Sequence, residues 1–132
     1  MITEYDERVC NGNVKEFKEA AQEVMNHFRN NFMDYAQPPR IRGYSRDFKP
    51  KVFRDAFDRL MMNRGFEIDA RTLRHAHGIG NNNRWDVVDK DLNKVGEFYA
   101  NNNMYHGVYI GVISKDGIID KFEICSGGFI RG

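Results

Sequence analysis

The chain has 132 residues, a net charge of +1 and 41% hydrophobic residues, among them ten Phe and six Tyr. That length buries a real core without disulfides or metal, and so many aromatics argue against a chain meant to stay disordered. No window approaches the roughly 18 consecutive apolar residues of a membrane span, the acidic start lacks the basic and apolar regions of a secretory signal, and Cys10 and Cys125 follow no ligand spacing. The expectation is one domain over residues 1–132, soluble and cytoplasmic, with both cysteines reduced.

Residues 1–12 suit a short strand or arm ending at the turn-prone 11–13. Asn13 is placed to cap a helix, with Glu16 at the reciprocal capping-box position. Val14, Phe17, Ala21, Val24, Phe28, Phe32 and Tyr35 then recur every three or four residues, one apolar stripe along a helix of about six turns. Gln37 followed by Pro38 and Pro39 ends it. Pro50 suits the first turn of a second helix whose apolar face is Phe53, Phe57, Leu60 and Met61, with Gly65 as its C-terminal cap. That helix is expected from about Pro50 to Arg64.

Phe66 and Ile68 suggest the start of a strand, and Leu73, His75 and His77 share one face of a second short one. Composition makes 78–83 a loop, Trp85, Val87 and Val88 a short strand, and Asp89 the cap of a helix over Leu92, Val95, Phe98 and Tyr99, weakened by Gly96. An extended reading of that last stretch is the alternative. Residues 105–114 and 118–125 read as a hairpin around Lys115, Asp116 and Gly117. A three-residue loop with Gly117 left-handed pairs Ile110 with Phe122 and Val108 with Ile124, which gathers the apolar side chains on one face. Tyr109, Gly111, Lys121 and Glu123 fall on the other, wetter face. The expected fold class is α+β, two N-terminal helices packed on a mainly C-terminal antiparallel sheet.

Charge is unevenly spread. Residues 38–84 carry eleven basic and five acidic side chains, while the segments before and after them have net charges of −3 and −2. In the connector, Arg40, Arg42, Arg46, Lys49, Lys51 and Arg54 interleave with Tyr44 and Phe48. Cations for phosphates and aromatics for stacking are the composition of single-strand binders. Residues 71–85 add Arg71, Arg74, Arg84, Trp85, His75 and His77. The two histidines supply at most half of a transition-metal site, with further ligands needed from Asp86, Asp89 or His106, so neither a metal nor a cofactor is expected. Gly78 and Gly80 form a lone Gly-x-Gly that reads as a turn or a small anion nest. Cys125 reads as packing at the hairpin end rather than a nucleophile.

The favoured function is a small accessory or regulatory protein. It binds nucleic acid, or an acidic surface of a nucleic-acid-processing protein, through residues 40–54 and 71–85. One alternative is a metal-independent ribonuclease with His75 or His77 and His106 as general acid and base and Arg74 stabilising the transition state. Another is a protein-binding inhibitor that docks by the exposed hairpin edge and makes no nucleic-acid contact.

Overall fold

The computed structural model describes residues 14–31, 50–75, 81–103, 107–125 and 129–132. Two helices, α1 (Val14–Asn31) and α2 (Pro50–Met62), precede six strands: β1 (Phe66–His75), β2 (Asn81–Asp89), β3 (Lys94–Asn103), β4 (Gly107–Ser114), β5 (Gly117–Cys125) and β6 (Phe129–Arg131). The strands form one antiparallel meander in which each pairs with its neighbours in the chain. The α+β class and the order of helices first, sheet second, are those the apolar spacing implies. Among the described residues no helix is long and apolar enough to cross a membrane.

In α1, Phe17, Ala20, Ala21, Val24, Met25 and Phe28 are buried, one stripe at helical spacing. Phe32 and Tyr35, expected to extend it, lie outside the described residues, as do Asn13 and residues 1–12. Helix α2 buries Phe53, Ala56, Phe57 and Met61. It ends two residues before the expected Arg64, and Gly65 closes it at φ 88°, the left-handed conformation a C-terminal cap requires.

Both helices cover the same face of the sheet. Phe66, Ile68, Trp85, Val87, Phe98, Ala100, Val108, Ile110, Val112, Phe122 and Ile124 alternate toward them and join one core cluster. Phe57 stacks on Phe98 at 4.2 Å, and Phe17 and Phe28 meet Phe66 and Phe53 edge-on. Polar contacts fix the seating. The Ile68 N–H donates to Asp58 at 2.8 Å, Arg29 pairs with Asp120 at 2.5 Å, and Lys18 pairs with Asp116.

Two expectations are corrected. Residues 94–103 are strand, not helix: Phe98 and Ala100 face the core while Glu97, Tyr99 and Asn101 face away, a period of two. Asn81, Asn82 and Asn83 belong to β2 rather than to a loop, because they pair with Asn102, Asn101 and Ala100. Tertiary pairing outweighs asparagine's preference for turns. The hairpin register agrees with the expectation, Ile110 opposite Phe122 and Val108 opposite Ile124, with Gly117 at φ 113°. Its device differs in detail. Ser114 pairs with Gly117, and the extra residue is Ile119, where the register shifts between Val112 and Ile113.

Candidate functional site

The face of the sheet turned away from the helices carries the polar chemistry. Along the hydrogen-bonding direction, Asp69, Asp86, Glu97 and Ile113 fall in one register row, and Arg84, Tyr99, Gly111 and Lys121 in the next. Asn101, Tyr109, Glu123 and Arg131 make a third.

Like charges opposite one another destabilise a sheet, so the acidic row needs cations. Two bulges deliver them. The register shift beside Val95 turns Lys94 to the same side as Glu97, and Lys94 Nζ lies 2.7 Å from Glu97 Oε2 and 3.3 Å from Asp86 Oδ1. A wider bulge between Asp69 and Arg74 lets the Thr72 hydroxyl accept from the Asp86 N–H at 2.8 Å and brings Arg74 opposite Arg84. Arg74 then sits 2.9 Å from Asp86 and 3.4 Å from Glu97, while Arg84 pairs with Glu97 directly. Three cations hold two carboxylates, and Glu97 is 0% exposed. This cluster is the rigid floor of the face.

Beside it opens a cavity of about 490 Å³ whose lining includes Arg84, Tyr99, Asn101, Tyr109, Lys121 and Glu123. The Tyr99 ring fills the space where a side chain at Gly111 would stand, so the ring lies over β4. Burial raises the Tyr99 hydroxyl pKa, partly offset by Arg84, so the phenol is a neutral donor at physiological pH. Asn101 Oδ1 accepts from the Asn83 N–H at 2.8 Å, which leaves its amide nitrogen as the donor end. Glu123 is 2% exposed. Its Oε1 accepts from Arg131 at 2.7 Å, and that carboxylate raises the Arg131 pKa further. Its Oε2 is enclosed, with no surface open to a ligand, and the Cys125 thiol also hydrogen-bonds this carboxylate. Burial, and after it Glu123, pushes the adjacent Cys125 thiol up, which disfavours a thiolate nucleophile.

The residues expected from the sequence are distributed as follows. Arg84 reaches the cavity and Arg74 the ionic floor. Trp85 is corrected as a stacking residue: it is 4% exposed, packs on Phe98 at 6.2 Å and lies under the Arg54 guanidinium at 5.6 Å, on the core side. Arg71 is 87% exposed and pairs with Asp69 at 3.2 Å, at the far margin of the sheet. Lys51 is exposed on α2. Arg40, Arg42, Tyr44, Arg46, Phe48, Lys49, His77 and His106 lie outside the described residues; His75 ends β1. Among the described residues, no three His, Cys, Asp or Glu side chains gather as a metal site.

Tyr99, Asn101, Lys121, Glu123 and Arg131 were not anticipated as a site. The alternation of Glu97, Tyr99 and Asn101 with Phe98 and Ala100 was the available signal for the first two, and the wet face of the hairpin was the signal for Lys121 and Glu123. Comparison with protein-family models, with characterised proteins and with solved structures finds no match to this chain.

Proposed function

We propose that the protein acts by binding single-stranded nucleic acid across the outer face of the sheet, as an accessory factor rather than an enzyme. One observation carries the reading: Tyr99, whose ring lies over Gly111, and Tyr109 beside it line one cavity together with the exposed cations Lys121 and Arg131. Aromatic faces take bases of any identity, and cations follow the phosphates. The cationic, aromatic composition of residues 40–51 supports the same reading.

Fluorescence anisotropy with labelled single-stranded RNA and DNA over a salt series tests it. Binding is expected to weaken steeply with salt, Tyr109→Ala to cost about 1–3 kcal/mol, and Lys121→Ala to lower the salt slope by about one. Absence of binding at low salt, or binding indifferent to both variants, overturns the reading. RNA cleavage that survives EDTA would replace it with the ribonuclease, and an acidic protein that binds where nucleic acid does not would replace it with the inhibitor.

A further inference from the structure

Resting on that reading, we infer that Lys121 and Arg131 clamp one phosphate at a fixed place beside Tyr109, with Glu123 as the positioning residue that aims Arg131. The argument starts from an uneven pair. Glu123 is 2% exposed, whereas the Arg131 side chain that it binds at 2.7 Å is 62% exposed. Burying a carboxylate costs free energy that an exposed partner offsets only in part, so the pair is a poor device for stability alone. What it does achieve is to hold a guanidinium at the mouth of the cavity. The carboxylate engages one guanidinium nitrogen, Nη2, and its other oxygen is enclosed. A guanidinium carries five N–H donors in one plane, so part of the fork remains for an anion from solvent. Arg131 also donates to the Tyr109 hydroxyl, which ties the fork to the stacking ring.

Register supplies the second cation. Arg131 stands opposite Glu123, and Lys121 precedes Glu123 by two residues on the same face of β5. Diagonal neighbours of this kind lie about 7–8 Å apart, close enough for a lysine and an arginine to converge on one phosphate. Lys121 is exposed, lines the cavity, and its ammonium has no ion pair or hydrogen bond among the described residues. Glu123 balances Arg131, so Lys121 adds an uncompensated positive charge there. The layout also has a direction. Tyr109 is on β4, Lys121 on β5 and Arg131 on β6, so both cations stand to one side of a base stacked on the ring. Of the two phosphates that flank a nucleotide, the clamp therefore takes one. Hydrogen bonds between ionised partners are the strong ones, and a planar fork fits phosphate oxygens as an ammonium cannot.

The experiment is a heteronuclear NMR titration of the full chain at low salt with uridine, its 5′-monophosphate, its 3′-monophosphate, inorganic phosphate and a five-uridine RNA. One monophosphate is expected to bind on the order of tenfold tighter than uridine, inorganic phosphate and the other isomer. Arg131→Lys keeps the charge and the partner of Glu123 but not the fork, so the ratio between the isomers should fall toward one. Glu123→Gln loosens the fork, and the ratio should fall there too, with RNA binding weakened severalfold. The wild-type ratio needs no variant, so it decides for or against the clamp even if Glu123→Gln does not fold. RNA binding with the two isomers alike overturns the clamp and leaves the general reading standing. An isomer preference that persists in folded Glu123→Gln overturns the positioning role of that carboxylate. An isomer preference with RNA bound no tighter than the mononucleotide overturns the nucleic-acid reading and leaves a site for free nucleotides. Failure of every probe to bind overturns both.

Discussion

Replacing Glu97 with Gln removes one negative charge from the ionic floor and changes the side-chain shape very little. In the native cluster Arg74, Arg84 and Lys94 face Asp86 and Glu97, three cations against two carboxylates. The variant leaves three against one, with Glu97 at 0% exposure and Lys94 at 5%. Taking one partner from a buried pair costs about 3–5 kcal/mol, because the abandoned charge stays desolvated. A domain of 132 residues loses about 3–4 °C in Tm per kcal/mol, so Glu97→Gln should melt roughly 9–20 °C lower. Circular dichroism against temperature, with urea titration at 25 °C, measures both numbers. The double variant Arg84→Met with Glu97→Met removes one charge of each sign, keeps the balance of the cluster, and should be more stable than Glu97→Gln by at least about 1 kcal/mol. If Glu97→Gln loses less than about 1 kcal/mol, the cluster behaves as a hydrated surface pair and the account of the floor is wrong.

Other perturbations test other parts of the fold. Leu92 sits at φ 66° in the β2–β3 turn and is 66% exposed, so Leu92→Gly should raise stability by about 1 kcal/mol in urea titration; a loss would mean the leucine is packed. Gly111→Ala puts a methyl group where the Tyr99 ring lies, so it should weaken nucleic-acid binding severalfold while far-UV dichroism is retained; unchanged affinity would detach Tyr99 from the site. Asp69 is held below the usual carboxylate pKa, mainly by its hydrogen bond from Arg71, and Asp116 likewise by Lys18. Groups with depressed folded-state values stabilise above their ordinary pKa near 3.8 and lose that contribution as pH falls through the lower, folded value. Tm should therefore drop on acidification through and below that value, and less steeply in Arg71→Ala; identical acid limbs would exclude the pair. Cys125, buried with its thiol pKa raised by that burial, should alkylate with iodoacetamide at pH 8 only after urea unfolding, as read by peptide mass spectrometry.

The helices were legible because their apolar residues repeat at one period with little interference: Phe17, Ala21, Val24 and Phe28 have no second pattern to compete with. Strand β3 was not, since Leu92, Val95, Phe98 and Tyr99 also fall at helical spacing. Only three of the four belong to the strand, and the bulge at Val95 breaks the alternation that would have revealed it. The hairpin register could be argued because a slip of one residue would have mixed the faces of β4 and β5. The candidate site was largely illegible for a different reason. Arg84, Tyr99, Tyr109, Lys121 and Arg131 are spread over five strands, and only the pairing of those strands makes them neighbours. The densest cluster of reactive residue types, 71–85, brings Arg84 and Arg74 to this face, while its tryptophan packs in the core.

The meander has a consequence for the order in which the molecule assembles. Each strand needs only its neighbours in the chain, so the sheet closes through short loops and can zip from any hairpin at modest entropic cost. The helices are the reverse. Lys18 and Asp116, which join α1 to the β4–β5 turn, are 98 positions apart. On a ribosome α1 and α2 therefore emerge before the strands that complete their burial: Phe28 can meet Phe53 at once, but Phe57 has no Phe98 to stack on until β3 has left the exit tunnel. The core is complete only when the C-terminal half supplies Ile110, Phe122 and Ile124.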